Sequence, residues 1–278
     1  MTKRRSLHIG LNYVDPDKYN GWDGALNACV NDANAMRDVA VSRGFEPTML
    51  LDDQATAENL REQLNAAAAD LGAGDFLFLT YSGHGGQVPD VSGDEEDAYD
   101  ETWCLYDTQL VDDALYGVLC TFAEGVRIFV LSDSCHSETV VRAPAANWRD
   151  RRRQARAVGG PRSKLAPLKV TVAEFESHQQ EYEQQRKWWR PKPVLPKTSP
   201  AKVVLVSGCQ DDQTSLDGDV NGAFTESFLK VWDDGGFSGN YSELREAVVR
   251  QIRSPQVPGL FYYGIDVDSM LAQPPLGD

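Results

Sequence analysis

An α/β fold, in which helices flank both faces of a central and mostly parallel sheet, is what this sequence predicts. Short apolar runs alternate along the chain with stretches of helical spacing, and this alternation is typical of βαβ units. Several of the runs are apolar throughout, as strands buried on both faces are. With 278 residues, 41% of them hydrophobic, the chain can bury the core of one large domain. We expect a single domain over residues 1–278, with a basic and polar insertion at about 143–200.

Four apolar runs ahead of the insertion have the length and the polar boundaries of buried strands. They lie at residues 7–11, 48–51, 76–81 and 128–131. Gly44 follows a first predicted helix as a C-terminal cap, and Thr56 starts a second as an N-cap. The helices are expected at 25–43, 56–71 and 112–123, and a short hairpin around 102–106.

The regular pattern breaks within the insertion, where Arg-rich, Pro-rich and Gln/Glu-rich pieces follow one another. Residues 172–189 have the composition of a polar helix, and the rest is expected to be a largely exposed, partly disordered loop. The alternation then returns. Strands are expected at 202–207 and near 260–265, and helices at 224–232 and 242–251.

Charge is distributed unevenly along the chain, whose formal net charge is −15. Lys and Arg are in excess in the insertion, whereas none occurs between Arg61 and Arg127. An acidic body repels nucleic acid and attracts cationic ligands, although solubility alone explains the same charge. We therefore expect no nucleic-acid partner.

The five cysteines are scattered, and no two of them form a Cys-x-x-Cys pair. This argues against a disulfide framework and a zinc site, and it favours reduced thiols in a cytoplasm. No apolar stretch approaches the ~18 residues of a membrane helix, and the start of the sequence lacks the features of a secretory signal. We expect a cytoplasmic protein without a membrane partner.

Two predicted strands, which end at positions 81 and 131, are followed by matching residues. Ser82 and His84 follow the first strand, and Asp133 and Cys135 follow the second. Side chains two positions apart in an extended chain point to the same side. If the two strands are neighbours, His84 and Cys135 meet at the carboxyl edge of the sheet, where α/β folds place their sites.

A cysteine and a histidine that meet are the minimum for thiol nucleophilic catalysis. Cys135 would attack as the thiolate, and His84 would take its proton and later protonate the leaving amine. The backbone N–H groups of Gly85 and Cys135 could form an oxyanion hole. Taken singly, a cysteine after a strand is more often a buried thiol, and a histidine in a glycine-rich loop is more often a surface residue.

Residues 81–85 (Tyr-Ser-Gly-His-Gly) and 133–137 (Asp-Ser-Cys-His-Ser) resemble the metacaspase branch of the caspase-like cysteine peptidases. His84 and Cys135 are 51 positions apart, close to the roughly 50 positions typical of caspases. Further segments resemble type I metacaspases and their bacterial relatives, the orthocaspases, in the same order. They are residues 29–33, 93–97, 207–215 and 222–225.

The resemblance implies a caspase–haemoglobinase fold and a cysteine endopeptidase that cleaves after Arg or Lys through a thioester. It also implies a P1 pocket, the site for the residue before the cleaved bond, lined by Cys29, Asp32, Ser82 and Asp133. Two carboxylates suit a guanidinium or an ammonium group. The implied partners are protein or peptide substrates with a basic P1 residue, and the implied state is a monomer.

Many metacaspases bind Ca²⁺ at an acidic site, and this sequence resembles part of that site. Carboxylate oxygens in a loop suit calcium, and the candidates are Asp94, Asp97, Asp112 and Asp113. After Cys135 the chain offers Glu138 and then no further carboxylate where the family usually supplies one. We expect that no cofactor is required, and calcium stays the one candidate.

Basic residues after Cys135 suggest a further role for the insertion. An enzyme that cleaves after Arg could cut itself there, and a basic loop resting on the acidic body is the alternative. The residues are Arg149, Arg151, Arg152, Arg153, Arg156, Arg162 and Lys164. Two other functions stay open, namely a caspase-like regulatory or interaction module with vestigial activity and a cysteine peptidase of the wider clan with a different P1 preference.

Overall fold

The computed structural model describes residues 2–89, 99–135, 163–189, 199–209, 215–252 and 256–277. Within these ranges the strands are β1 (Arg4–Gly10), β2 (Glu46–Leu51), β3 (Phe76–Ser82), β4 (Gly85–Pro89), β5 (Tyr99–Cys104), β6 (Gln109–Val111), β7 (Arg127–Asp133), β8 (Lys202–Ser207) and β9 (Gly259–Tyr263). The helices are α1 (Cys29–Ser42), α2 (Ala57–Asp70), α3 (Asp112–Leu119), α4 (Leu168–Ser177), α5 (Gln179–Trp189), α6 (Ala223–Trp232), α7 (Tyr241–Gln251) and α8 (Val267–Leu271). Short 3₁₀ turns lie at Asp52–Gln54 and Asp233–Gly235.

The central sheet has the strand order β2-β1-β3-β7-β8-β9. Neighbouring strands pair in parallel, except that β9 runs antiparallel to β8. A smaller antiparallel sheet has the order β4-β5-β6. The predicted α/β class, with a mostly parallel sheet, is confirmed.

Alternate residues of the central strands face two separate apolar layers. On β3, Leu77 and Leu79 belong to the layer that includes residues of α2 and α3. Phe76 and Phe78 belong to the layer that includes residues of α1, α6 and α7. Because helices cover both faces, every residue of β3 is buried, and this explains why its sequence is an apolar run without alternation.

The strands β3 and β7 lie side by side, with Ser82 paired to Asp133 at their carboxyl ends. The condition on which the sequence argument depended, that these two strands are neighbours, is therefore met. Their carboxyl ends bring the residues that follow, up to His84 and Cys135, to the same edge of the sheet.

The first helix begins at Cys29, later than the predicted start at residue 25. The N–H groups of Asn27 and Ala28 donate to the carboxylate of Asp217 at 2.8 and 3.1 Å. This distant carboxylate satisfies amides ahead of the first helical turn, a role that a local N-cap would otherwise fill. Helix periodicity contains no information about such a partner.

The prediction of a largely exposed insertion is wrong for its described part. Two helices, α4 and α5, follow Lys164, whose side chain has no exposed surface. Phe175 and Tyr182 pack into the core layer of α2 and α3. We call residues 163–189 the strap. The remaining pieces, 143–162 and 190–198, lie outside the described residues.

None of the helices in the described ranges combines the length and the apolar character needed to cross a membrane.

Candidate active site

The carboxyl ends of β3 and β7 place two loops in direct backbone contact. A Cβ atom built on Gly85 would lie 1.7 Å from the carbonyl oxygen of Cys135. No side chain fits in that space, so position 85 requires glycine for this close approach. The contact holds the loop of His84 against the residue that carries the candidate nucleophile.

His84 has only 7% of its surface exposed, and a backbone carbonyl orients its ring. The Nε2 atom lies 3.1 Å from the carbonyl oxygen of Gly24, and the ring of Trp22 packs 4.7 Å away, centroid to centroid. A carbonyl oxygen can only accept, so Nε2 carries the proton and Nδ1 keeps its lone pair in the neutral ring. Nδ1 has no hydrogen-bond partner among the described residues, which leaves it available as a base.

Burial lowers the pKa of His84 to about 4. The backbone groups of Gly24 and Lys164 act in the opposite direction, and the positive charge of Lys164 lowers the pKa further. His84 is therefore neutral at neutral pH, which is the form that can accept a proton.

Cys135 is fully buried, and its sulfur is held by the backbone of one residue. The N–H of Ser215 donates to Sγ at 3.1 Å, and the carbonyl oxygen of Ser215 lies 3.7 Å from the same sulfur. Cys209, on the neighbouring strand end, instead places its thiol 3.3 Å from the carbonyl oxygen of Ser134.

An acidic pocket lies at the same edge of the sheet, at Asp133 and Ser82, and the side chain of Lys164 fills it. The ammonium nitrogen of Lys164 is 3.1 Å from Oδ2 of Asp32 and 3.1 Å from Oδ2 of Asp133. It also lies 2.9 Å from Oγ of Ser82. All four of these side chains are buried. Two carboxylates thus bind one cation in a site with almost no exposure to water.

Each carboxylate of the pocket is held in place by hydrogen bonds from other residues. Asp133 accepts from the hydroxyls of Ser215 at 2.6 Å and Thr225 at 2.9 Å. Asp32 accepts from the hydroxyl of Ser82 at 2.7 Å and from the N–H of Gly222 at 2.9 Å. Fixed hydrogen bonds orient the two carboxylates before a ligand arrives.

Gly222 forms the wall of the pocket. A Cβ atom at this position would lie 2.5 Å from Oδ2 of Asp133, 2.7 Å from Nζ of Lys164 and 3.0 Å from Oδ2 of Asp32. The pocket therefore depends on the absence of a side chain there.

In the pocket, attraction between the Lys164 ammonium and the two carboxylates opposes the cost of burying these charges. Burial lowers the pKa of Lys164, but the attraction of Asp133 and Asp32 outweighs it, and the net pKa is well above the usual value. Burial raises the pKa of Asp32, against the pull of the Lys164 ammonium, and Asp133 adds to the rise. Burial also raises the pKa of Cys29 to about 12, so this residue is a neutral thiol. Lys164 stays charged because two carboxylates surround it.

The backbone around Lys164 lies in the cleft as an extended peptide. The N–H of Lys164 donates to the carbonyl of Ser215 at 2.9 Å, and its own carbonyl accepts from the N–H of Gly85 at 2.9 Å. Two residues later, the N–H of Ala166 donates to the carbonyl of Gly85 at 2.9 Å. Ser163 and Leu216 form an antiparallel bridge. The chain therefore adds to the loops on both sides, as an extended peptide does in β-augmentation.

Metal ligands do not come together in the part of the chain that the structure describes, where no three His, Cys, Asp or Glu side chains are placed to hold an ion. Asp112 begins α3 and accepts the N–H of Asp113 at 2.8 Å. Asp94 and Asp97 lie outside the described residues.

The predicted pocket residues lie together around Lys164, with the thiol of Cys29 beside Ser82. Their roles in binding substrate stay predictions. Sequence reasoning gave no role to several residues that shape the site. They are Trp22, Gly24, Ser215, Asn221, Gly222 and Thr225. The small polar residues after β8 could have indicated some of these roles, because β8 lies beside β7 and ends at the same carboxyl edge of the central sheet.

A family model described as "Metacaspase, peptidase C14 domain" matches residues 4–144. Among curated proteins, Metacaspase-1B of Neosartorya fischeri is 31% identical over 260 residues, covering 82% of this chain and 61% of that protein. Metacaspase-1A of Neurospora crassa is 32% identical and covers 82% of this chain and 55% of its own length. The chain thus spans less than two thirds of these relatives.

A solved structure matches almost the whole chain. The crystal structure of a protein from Geobacter sulfurreducens has a TM-score of 0.86 and 40% sequence identity. The match covers 99% of this chain and 98% of that one. The likeness therefore includes the strap as well as the central sheet.

Proposed function

We propose, because this chain belongs to the metacaspase family of caspase-like cysteine peptidases, that it hydrolyses peptide bonds after Arg or Lys. The family as such implies a cysteine peptidase acting on proteins. The preference for a basic P1 residue, the catalytic pair and self-cleavage are the parts that we add.

One observation carries the proposal, namely the way in which the chain binds its own Lys164. The ammonium lies between Asp32 and Asp133 at 3.1 Å from each. The carbonyl of the same residue accepts from the N–H of Gly85. A P1 side chain and its scissile carbonyl need both of these contacts at once, and one lysine makes them here.

The proposed reaction begins with His84 and Cys135. His84 takes the thiol proton on Nδ1, and the sulfur attacks the carbonyl carbon of the P1 residue. The N–H of Gly85 stabilises the oxyanion, with the N–H of Cys135 as its expected partner. His84 then protonates the leaving amine, and water hydrolyses the thioester. Gly24 keeps the ring in the tautomer that these proton transfers require.

The first substrate in this account is the bond between Lys164 and Leu165. It is already positioned in the cleft, so the uncut chain blocks its own P1 pocket. Of the seven basic residues that the sequence offered as cleavage sites, Lys164 is the one within the described ranges, and it makes these contacts. The six arginines lie outside the described residues.

We propose further that catalysis needs no metal, and that the protein works as a monomer in the cytoplasm. The acid–base and electrophilic roles are filled by His84 and the backbone N–H groups, so no step calls for an ion. Activity in calcium and in a chelator should be equal within a factor of about two, and a calcium requirement would contradict the proposal.

Peptides with a fluorogenic leaving group test the specificity. The set ends in Arg, Lys, Asp or Asn and is assayed with the wild type and with Cys135→Ala. We expect turnover of the Arg and Lys peptides by the wild type alone. Turnover after Asp or Asn instead would favour a different P1 preference. Absence of thiol-dependent turnover of any peptide would favour the alternative of a regulatory or interaction module with vestigial activity.

A further inference from the structure

We infer that the same site also re-forms the bond between Lys164 and Leu165, so that self-cleavage is reversible while the strap stays bound. The inference rests on the proposed function, since it uses the thioester at Cys135. The added step is transfer of the Lys164 acyl group from Cys135 to the amine of Leu165, in place of its transfer to water.

The strap is anchored immediately after the bond that would be cut. Ala166 is buried and its N–H is bound to Gly85. Thr171 is fully buried, and its carbonyl accepts from the side-chain amide of Gln109 at 3.0 Å. These contacts involve the smaller sheet and do not depend on the peptide bond at Lys164. Cutting that bond leaves them intact.

A buried polar cluster fixes the helices of the strap. Glu174 is fully buried and accepts from the amide of Gln109 at 2.7 Å, from the hydroxyl of Tyr182 and from the hydroxyl of Thr108 at 3.3 Å. The rings of Phe175 and Tyr182 pack at 4.8 Å. A buried carboxylate with three donors holds its element firmly, because leaving any of these groups unpaired is costly.

The nitrogen of the leaving group is held close to the acyl side. The N–H of Leu165 donates to the hydroxyl of Ser163 at 3.1 Å, and Leu165 forms a parallel bridge with Gly85. After cleavage the new amine would remain between Ser163 and Ala166. The acyl side is held as well, since Lys164 is fixed in its pocket.

The reverse step balances without an added reagent. In the cut chain the thiol of Cys135 first attacks the carboxyl carbon of Lys164, the C–S bond forms and a C–O bond breaks with release of water. The amine of Leu165 then attacks the thioester carbon, the C–N bond forms, the C–S bond breaks and the sulfur leaves as thiolate. The amine proton passes to His84 and then to the thiolate. Reacting groups that are held in place have effective concentrations of about 10⁵ M or more, so the amine competes with water despite the abundance of water.

Reversibility is tested by the ratio of intact to cut chain. Intact and cut forms of the wild type are separated and incubated apart, and samples are denatured before mass analysis. We expect both to approach one common ratio, and we expect cut protein alkylated with iodoacetamide to stay cut. Complete conversion of the intact form, with no intact chain arising from the cut form, would overturn the inference.

A matched pair of variants on α4 tests whether firm binding of the strap limits the accumulation of cut chain. Glu174→Ala removes the buried carboxylate, and Glu176→Ala removes an exposed one from the same helix. We expect cut chain to accumulate roughly tenfold faster in Glu174→Ala, equivalent to about 1.4 kcal/mol, and at the wild-type rate in Glu176→Ala. Tyr182→Phe, which keeps the ring, provides a milder variant with the same expected direction.

The outcomes separate this inference from the proposed function. If cut chain accumulates in Glu174→Ala and Tyr182→Phe at the wild-type rate, the bound strap does not favour re-formation of the peptide bond. The inference is then wrong, although the proposed peptidase activity is unaffected. If Lys peptides are turned over but no variant cuts after Lys164, the strap is no substrate and the inference is wrong. If neither peptides nor the strap are cut, the proposed function itself fails.

Discussion

The ammonium group of Lys164 lies 3.1 Å from the carboxylate of Asp133, and neither side chain is accessible to water. Asp133 is two residues before the candidate nucleophile, whereas Lys164 belongs to the strap. Breaking a buried ion pair by removing one partner costs about 3–5 kcal/mol. If this pocket receives the P1 side chain, as we propose, the uncut chain holds it closed and an outside substrate has to displace the strap.

Replacing the bound lysine with an uncharged side chain of similar length should open the pocket. Lys164→Met leaves Asp32 and Asp133 without a cation, so the start of the strap no longer gains from binding there. We expect this variant to lose cleavage at position 164 and to turn over Arg peptides about tenfold faster than the uncut wild type, a change of about 1.4 kcal/mol. Lys169→Met, on the exposed side of α4, should behave as the wild type. Equal rates for the two variants would argue against a blocked pocket.

Adding one methyl group to the pocket wall should abolish binding of a basic side chain. Gly222→Ala places a Cβ atom within 3.0 Å of both carboxylates. We expect kcat/KM for Arg and Lys peptides to fall about 100-fold, because small displacements in a site of this kind cost that much. Gly72→Ala adds its Cβ 3.9 Å from the nearest side-chain atom and is the control. Full activity in Gly222→Ala would place the P1 pocket elsewhere.

Removing the charge of Asp133 should reduce the preference for basic substrates. Asp133→Asn keeps the size of the side chain but loses the charge that faces the cation. We expect kcat/KM for Arg and Lys peptides to fall roughly 10- to 100-fold, as for the loss of a hydrogen bond to a charged group. Asp38→Asn, at an exposed position of α1, is the matched control. An unchanged ratio of Lys to Asp peptide cleavage would exclude Asp133 from specificity.

The low pKa of His84 predicts that acid destabilises the fold. The pKa is about 4 in the folded protein, against about 6.5 in an unfolded chain. Between these values the unfolded state binds more protons, so stability falls as the pH is lowered from 6.5 towards 4. At pH 5 the loss from His84 is about 2 kcal/mol.

Urea unfolding at pH 7.5 and pH 5 measures this loss. His84→Gln should lose less stability than the wild type between the two pH values. The other deeply buried histidine, His8, has a pKa lowered to about 3 and is present in both proteins. Its contribution therefore cancels in the comparison. Identical losses in the two proteins would show that His84 is not held in its neutral form.

The central sheet and the catalytic edge could be predicted because their causes are local. Strands buried on both faces are apolar throughout, and the two-residue repeat of an extended chain places Ser82 with His84 and Asp133 with Cys135. The adjacency of β3 and β7 was a condition that the sequence left open, and their register in the sheet meets it.

The strap could not be predicted because its order comes from distant partners. Glu174 and Tyr182 are polar residues whose burial depends on Gln109, far away in the sequence. Composition indicated a polar helix at 172–189, but it gave no sign that these two side chains are buried. Lys164 was similarly one basic residue among many, and only Asp32, Ser82 and Asp133 distinguish it.

The position of self-cleavage shows whether Lys164 is bound as a P1 residue. The wild type and Cys135→Ala are incubated, denatured and analysed by intact mass and amino-terminal sequencing. We predict a fragment that begins at Leu165 in the wild type and only the full chain in Cys135→Ala. A fragment with another amino terminus, or the same fragment from Cys135→Ala, would contradict this prediction.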